Sequence, residues 1–274
     1  MKFAARRTTP ALPSHSRSPW GWAVAGLLCG SLLATLVWAP ARWLAQAVAS
    51  LTHEQVLLAQ AQGTVWNGSA TLVLSAGQGA ADASLLPQRL SWALRPTLRG
   101  LRLDLSHPGH LNAVQSLEVQ LGWQKLRLSV PDAQPWLGQW PAALLTGLGT
   151  PWNTLQLQGQ LQLSTQQFAL ERVAGRWQLQ GQLNLELLNI ASRVSTLAPL
   201  GSYRLQLTGD GQGGGQLQLS TLGGALLLNG QGQVGERLQF QGEASAAPGT
   251  EAVLANVLNI IGRRQGARSV ISVG

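Results

Sequence analysis

Residues 155–163 read Leu-Gln-Leu-Gln-Gly-Gln-Leu-Gln-Leu, with apolar side chains on odd positions and glutamine on even ones. Twenty-two residues after Leu155 the pattern returns over 177–187 as Trp-Gln-Leu-Gln-Gly-Gln-Leu-Asn-Leu-Glu-Leu, so that Leu157, Gly159, Leu161 and Leu163 recur as Leu179, Gly181, Leu183 and Leu185. A period of two puts successive side chains on opposite faces of a strand, which predicts two long strands with one leucine face and one glutamine face. Gly159 and Gly181 fall on the apolar face in mid-strand, where a missing side chain weakens packing but lets the sheet bend or admits a large neighbour. Shorter alternating runs at 71–74, 101–105, 117–121, 126–130, 203–207, 216–219, 225–228 and 238–241 predict further strands. Turn signals such as His107-Pro108-Gly109 and the glycine-rich 209–215 separate them,. Strands at hairpin spacing with few helices between them make a mainly antiparallel sheet.

Helical patterns are few. They cover 41–51, 135–146 (Trp136, Leu137, Trp140, Leu144, Leu145), more weakly 188–197, and 251–261, where Leu254, Val257, Leu258 and Ile261 share one side,. A single body is expected, in two halves joined around residues 133–152.

A different pattern occupies 20–38, nineteen residues without a charge. As a helix this run spans about 28 Å, close to the hydrocarbon thickness of a bilayer. Trp20 and Trp22 stand at one end, Trp38 and Trp43 at the other, where amphipathic rings favour the headgroup region,. Four Lys/Arg precede the run and Arg42 follows it, which keeps the N-terminus in the cytoplasm and puts the rest across the membrane,. The alternative is a cleaved leader with Ala39-Pro40-Ala41 as its site; the long apolar core and bulky Trp38 favour an uncleaved anchor. The expected organisation is a basic tail at 1–19, the anchor at 20–38, a juxtamembrane helix or linker at 39–56 and a periplasmic β-rich domain at 57–274. Gly26 and Gly30 form a small-xxx-small pair within the anchor, and Cys29 reads there as a small apolar residue,.

The net charge of +8 gains meaning only from its location. Lys2, Arg6, Arg7, Arg17 and Arg42 cluster at one end and Arg263, Arg264 and Arg268 at the other; the eleven remaining basic residues match the eleven acids. A neutral body lacks the sustained positive stripe that nucleic acid requires. One cysteine excludes an intramolecular disulfide, and seventeen arginines against two lysines suit a bacterial periplasmic domain,.

Candidate chemistry is sparse. Gly209-x-Gly211-x-x-Gly214 and Gly230-x-Gly232-x-x-Gly235 satisfy a dinucleotide-binding spacing, but strands rather than helices follow them, so both read as hairpin turns,. His107 and His110 have a metal-like spacing without an accompanying carboxylate or thiolate cluster. No nucleophile elbow or catalytic cysteine appears. The expectation is a protein that is not an enzyme, with no catalytic residue, metal or cofactor.

Several blocks, in order, carry a family resemblance: the anchor, Gly63-Thr64-Val65-Trp66-Asn67-Gly68, Trp92-Ala93-Leu94-Arg95-Pro96, Pro199-Leu200-Gly201-Ser202-Tyr203-Arg204-Leu205, Thr221-Leu222-Gly223-Gly224-Ala225-Leu226, Gly230-Gln231-Gly232 and Leu258-Asn259-Ile260-Ile261-Gly262-Arg263-Arg264-Gln265-Gly266. Their succession resembles general secretion pathway protein N, an inner-membrane component of bacterial type II secretion systems. The resemblance implies a mainly β fold, with one transmembrane helix followed by a curved, mostly antiparallel multi-stranded body and a few short helices. It implies an accessory part in moving folded proteins across the outer membrane, with other secretion components and the inner membrane as partners. It carries over no catalytic residue. On physical grounds Gly63, Gly68, Gly201 and Gly224 allow tight backbone turns, while Trp66, Trp92 and Tyr203 read as core anchors or, alternatively, an interface. Arg263 and Arg264 suit the carbonyl end of a helix, or else a lipid phosphate or an acidic partner.

The leading expectation is therefore an anchored component that docks its sheet on other secretion proteins. The alternative is a lipid-binding groove that carries acyl chains along the leucine face towards the outer membrane.

Overall fold

The computed structural model describes residues 20–123, 125–173, 175–235 and 237–274. They fall into two compact units divided between Trp38 and Ala39. The basic tail at 1–19 lies outside the described residues.

In the first unit a single helix, α1 (Trp20–Val37), follows the uncharged run and stops one residue before Trp38. Its mean hydropathy of 1.7 over 18 residues makes it long and apolar enough to cross a membrane,. Its hydrophobicity is nearly uniform around the axis, and Trp20 and Trp22 are exposed. This is the pattern of a helix whose surroundings are apolar on all sides.

The second unit opens with α2 (Ala41–Leu51), as the sequence predicts, and continues as sheet. Its strands are β1 (Val56–Gly63), β2 (Asn67–Ser75), β3 (Ala83–Leu85), β4 (Leu90–Thr97), β5 (Gly100–Ser106), β6 (Gln115–Leu121), β7 (Lys125–Ser129) and β8 (Ala133–Pro141). After a 3-10 helix (Ala142–Leu148) and α3 (Trp152–Leu155) come β9 (Leu157–Val173), β10 (Arg176–Ser192), β11 (Gly201–Asp210), β12 (Gly215–Gly224), β13 (Leu226–Val234) and β14 (Leu238–Ala246). α4 (Glu251–Ile261), β15 (Arg263–Gln265) and β16 (Arg268–Val273) complete it. All sixteen strands join one antiparallel, curved sheet in the order β1-β2-β4-β5-β6-β7-β9-β10-β11-β12-β13-β14-β16-β15; β3 pairs with β2, and β8 with β9.

Register carries the sequence alternation across strands. Leu163, Leu185, Leu205 and Leu219 stand on one lateral row, and Ser164, Asn184, Gln206, Gln218, Gln231 and Gln241 on the next. Successive rows point to opposite faces, so each face is uniform across several strands. The main core forms at one end of the leucine face. There Leu157, Leu161, Ile190, Leu200, Tyr203, Leu226 and Ala244 meet Leu254, Val257 and Leu258 of α4, all buried. A smaller cluster joins Ala41 of α2 to Ala70 and Trp92.

Three expectations change. The helix expected over 135–146 is strand in its first half: Gly138 pairs with Leu163, Trp140 with Leu161 and Pro141 with Gln160, and only 142–148 coils, as a 3-10 helix. Pro135 and Pro141 favour extended backbone and supply no N–H to a helix interior. The weaker helix at 188–197 is instead the end of β10, as far as Ser192, followed by a turn. Asn189, with φ +51°, sits in a bulge between Leu188 and Ala191, and this extra residue shifts the buried phase from odd to even positions, to Ile190 and Ser192,. The join around 133–152 is no division, because β7 pairs directly with β9 and the sheet is unbroken there.

Gly159 and Gly181 also acquire a definite reason. Both have positive φ and lie opposite bulges; a Cβ would stand 2.7 Å from the Leu188 carbonyl oxygen at Gly159 and 2.2 Å from that of Gln167 at Gly181. They permit close backbone approach where the long hairpin bends.

Candidate functional site

The resemblance-bearing blocks meet at two junctions. In the first, Gly68 pairs with Gly63 on one side and Trp92 on the other. A Cβ on Gly68 would lie 2.6 Å from the Trp92 ring, so the glycine makes room for the indole. Trp92 is 3% exposed, and its Nε1–H donates to the Val65 carbonyl at 3.1 Å. Leu94 N–H donates to the Trp66 carbonyl at 2.7 Å, which ties the half-buried Trp66 to β4. Val65 N–H donates to Ala39 at 2.8 Å, and Pro40 bridges Thr64, so the start of this unit is stitched to the β1–β2 turn. Pro96 stays exposed near the end of β4, opposite Leu101.

The second junction brings together blocks more than twenty residues apart. Gly201 pairs with Gly224, and a Cβ on Gly224 would lie 2.2 Å from the Gly201 Cα. Leu200 accepts hydrogen bonds from the N–H groups of Ala225 and Leu226. The Tyr203 hydroxyl, in a residue 2% exposed, donates to the Leu226 carbonyl at 3.0 Å. Burial pushes the Tyr203 phenol well above its ordinary range, which keeps it a neutral donor,. Ser269 Oγ donates to the Leu258 carbonyl at 2.7 Å and ties α4 to β16. Gly262 ends α4, and a Cβ there would meet the Val270 carbonyl at 2.5 Å. Pro199 is exposed just before this junction. Arg263 and Arg264 do not cap α4 with their side chains. They form the short exposed edge strand β15, where Arg264 Nε donates to the Gly266 carbonyl at 2.8 Å. Two cations on a three-residue edge discourage pairing with another chain.

The remaining candidates are placed separately. Trp38 is exposed, and Trp43 on α2 is nearly half exposed. Of the two dinucleotide-like spacings, Gly211 and Gly214 lie in the β11–β12 turn and Gly235 follows β13, but Gly209, Gly230 and Gly232 lie inside strands. There Gly230 and Gly232 make room for the Phe240 ring on β14, 2.4 Å and 3.0 Å from where their Cβ atoms would stand.

His107 and His110 come together, ring centroids 4.8 Å apart. Their Nδ1 atoms face the carbonyls of Pro108 and Gln139, each at 3.0 Å. Burial lowers the His107 pKa, favouring its neutral form,. Among the described residues no group of three His, Cys, Asp or Glu is placed to hold a metal.

A groove of about 1020 Å³ lies on the glutamine rows of β11 to β14, lined by side chains such as Gln206, Gln218, Gln231 and Gln241. Of the leucines in 155–163, Leu155, Leu157 and Leu161 are part of the packed core, buried beside the 3-10 helix and α3, while Leu163 is half-buried. The arrangement offers hydrogen-bonding surface and sheet edges.

No significant match is found among curated proteins or among solved structures. One family profile does match, over residues 54–271, from just before β1 into β16: type II secretion system (T2SS), protein N. With most of its length covered, the chain belongs to the type II secretion system protein N family.

Proposed function

We propose that this chain is a single-pass component of the bacterial inner membrane, held by α1 with its N-terminus in the cytoplasm and its sheet in the periplasm. There it assists export of folded proteins across the outer membrane by docking on other type II secretion components, without catalysis. The observation that carries this reading is the family match across the whole sheet. The uncharged, apolar α1 supports the anchor, and the neutral, glutamine-rich body supports docking through polar surface and sheet edges.

The lipid-carrying alternative would have to use the half-buried part of the leucine face, Leu163, Leu183 and Leu185, because Leu157 and Leu161 are covered by the core.

Deletion of the gene in its own bacterium tests the reading. Exported enzymes are expected to accumulate folded in the periplasm, with secretion restored by the full chain. Normal secretion in the deletion strain would sink the proposal, and normal secretion with a leaky outer membrane would point to lipid transfer.

A further inference from the structure

One end of the sheet leaves large apolar and basic side chains in solvent. The β4–β5, β6–β7 and β9–β10 turns all lie there, closed by the pairs Thr97 with Gly100, Leu121 with Leu126, and Val173 with Arg176. Register sets Leu121, Leu126, Arg172 and Trp177 on one lateral row. Leu121 N–H donates to the Arg99 carbonyl at 2.8 Å and extends the row to the first turn. From β5 to β10 this row crosses five strands, about 19 Å at ordinary strand spacing. Leu98 and Trp123 project from it with 106% and 99% exposure. Arg99, Lys125, Arg172 and Arg176 are exposed beside them, and the Arg172 guanidinium lies 5.5 Å from the Trp177 ring centre. Glu171, 3.9 Å from Lys125, is the acid among these cations.

Bare tryptophan and leucine at turn tips, interleaved with cations, have the composition of an interfacial membrane contact. Apolar tips enter the boundary between headgroups and acyl chains while Arg and Lys meet phosphates. Connectivity points the same way. The β1–β2 turn faces this end of the sheet, because Asn67 and Gly68 pair with Ala93 and Trp92, and that turn holds Ala39 and Pro40. Only Trp38 separates Ala39 from α1.

We propose that these three turns rest on the surface of a phospholipid bilayer, with Leu98 and Trp123 in the headgroup region and Arg99, Lys125 and Arg176 on anionic lipid phosphates. The proposal rests on the anchored reading above and adds the surface that would hold the sheet against the membrane.

The test uses the full chain with Cys29→Ser and a single cysteine placed by Leu98→Cys, Trp123→Cys or, in the loop at the opposite end of β5 and β6, Val114→Cys. Each carries an environment-sensitive NBD label in phosphatidylcholine vesicles with about one-third phosphatidylglycerol. Labels at 98 and 123 are expected to emit further to the blue than at 114 and to be reduced by external dithionite about tenfold more slowly, as befits a site shielded by headgroups. Arg99→Glu with Lys125→Glu is expected to remove that protection. Equal reduction rates at all three positions, in chains that still float with the vesicles, would overturn the proposal and leave the anchor standing. Chains that fail to float would overturn both. Protection that persists in detergent without lipid would assign the turns to protein contact and overturn the membrane surface.

Discussion

The two ends of the sheet treat apolar surface in opposite ways. At one, α4 lays Leu254, Val257 and Leu258 over Leu200, Tyr203, Leu226 and Ala244, and Tyr203 hydrogen-bonds the Leu226 carbonyl. At the other, the turns carry Leu98 and Trp123 with nothing over them. The same chain thus closes one end and leaves the other bare. Burying a large apolar side chain is worth about 1.5–3 kcal/mol, so bare ones at neighbouring turns are a cost in water that a second phase or a partner removes. The contrast separates residues that hold the fold from residues that face outward.

Substitutions at the two ends should therefore part company. The largest effect is expected for Leu258→Ala, which empties a fully buried site in the α4 contact and should destabilise the sheet unit by about 2–5 kcal/mol,. Urea unfolding followed by tryptophan fluorescence would measure it, and an unchanged midpoint would mean that α4 is not part of the cooperative core. Tyr203→Phe should cost about 1–2 kcal/mol in the same assay, since it keeps the ring but leaves the Leu226 carbonyl without its buried donor,. The smallest effect belongs to the bare end. Trp123→Ser with Leu98→Ser should shift stability by no more than about 0.5 kcal/mol, as expected for exposed positions,. A large loss there would collapse the contrast and place both residues in the folding core.

Much of the sheet was legible because alternation survives into register: the runs at 71–74, 101–105, 117–121 and 203–207, and all but the last residue of 126–130, lie in strands. Legibility failed where one inserted residue shifts the phase, as Asn189 does near the end of β10, and where prolines interrupt a strand that nonetheless pairs, as in β8. The roles of Gly159 and Gly181 needed a partner strand to become visible, because a bulge is a property of two paired strands and not of one. The junctions were half legible. Gly63, Gly68, Gly201 and Gly224 stood out as turn-like glycines, but that Gly68 seats Trp92 and Gly224 lies against Gly201 depends on contacts across strands. Leu98 and Trp123 sit outside every alternating run, and an apolar residue isolated among turn residues was their one sequence signal.

The strand order has a further consequence, for the way such a sheet is made. Apart from β3, β8 and the final reversal of β15 and β16, neighbours in space are neighbours in sequence. A chain that appears N-terminus first finds the preceding strand already waiting each time a new one arrives, so pairing needs few long loop closures. The exposed growing edge then advances from β1 towards the C-terminus, one strand at a time. Near the C-terminus come α4, which seals the core, then β15 and β16, with the short arginine-bearing β15 at the outer edge of the sheet. That edge is short and charged, which discourages β-pairing with another chain there.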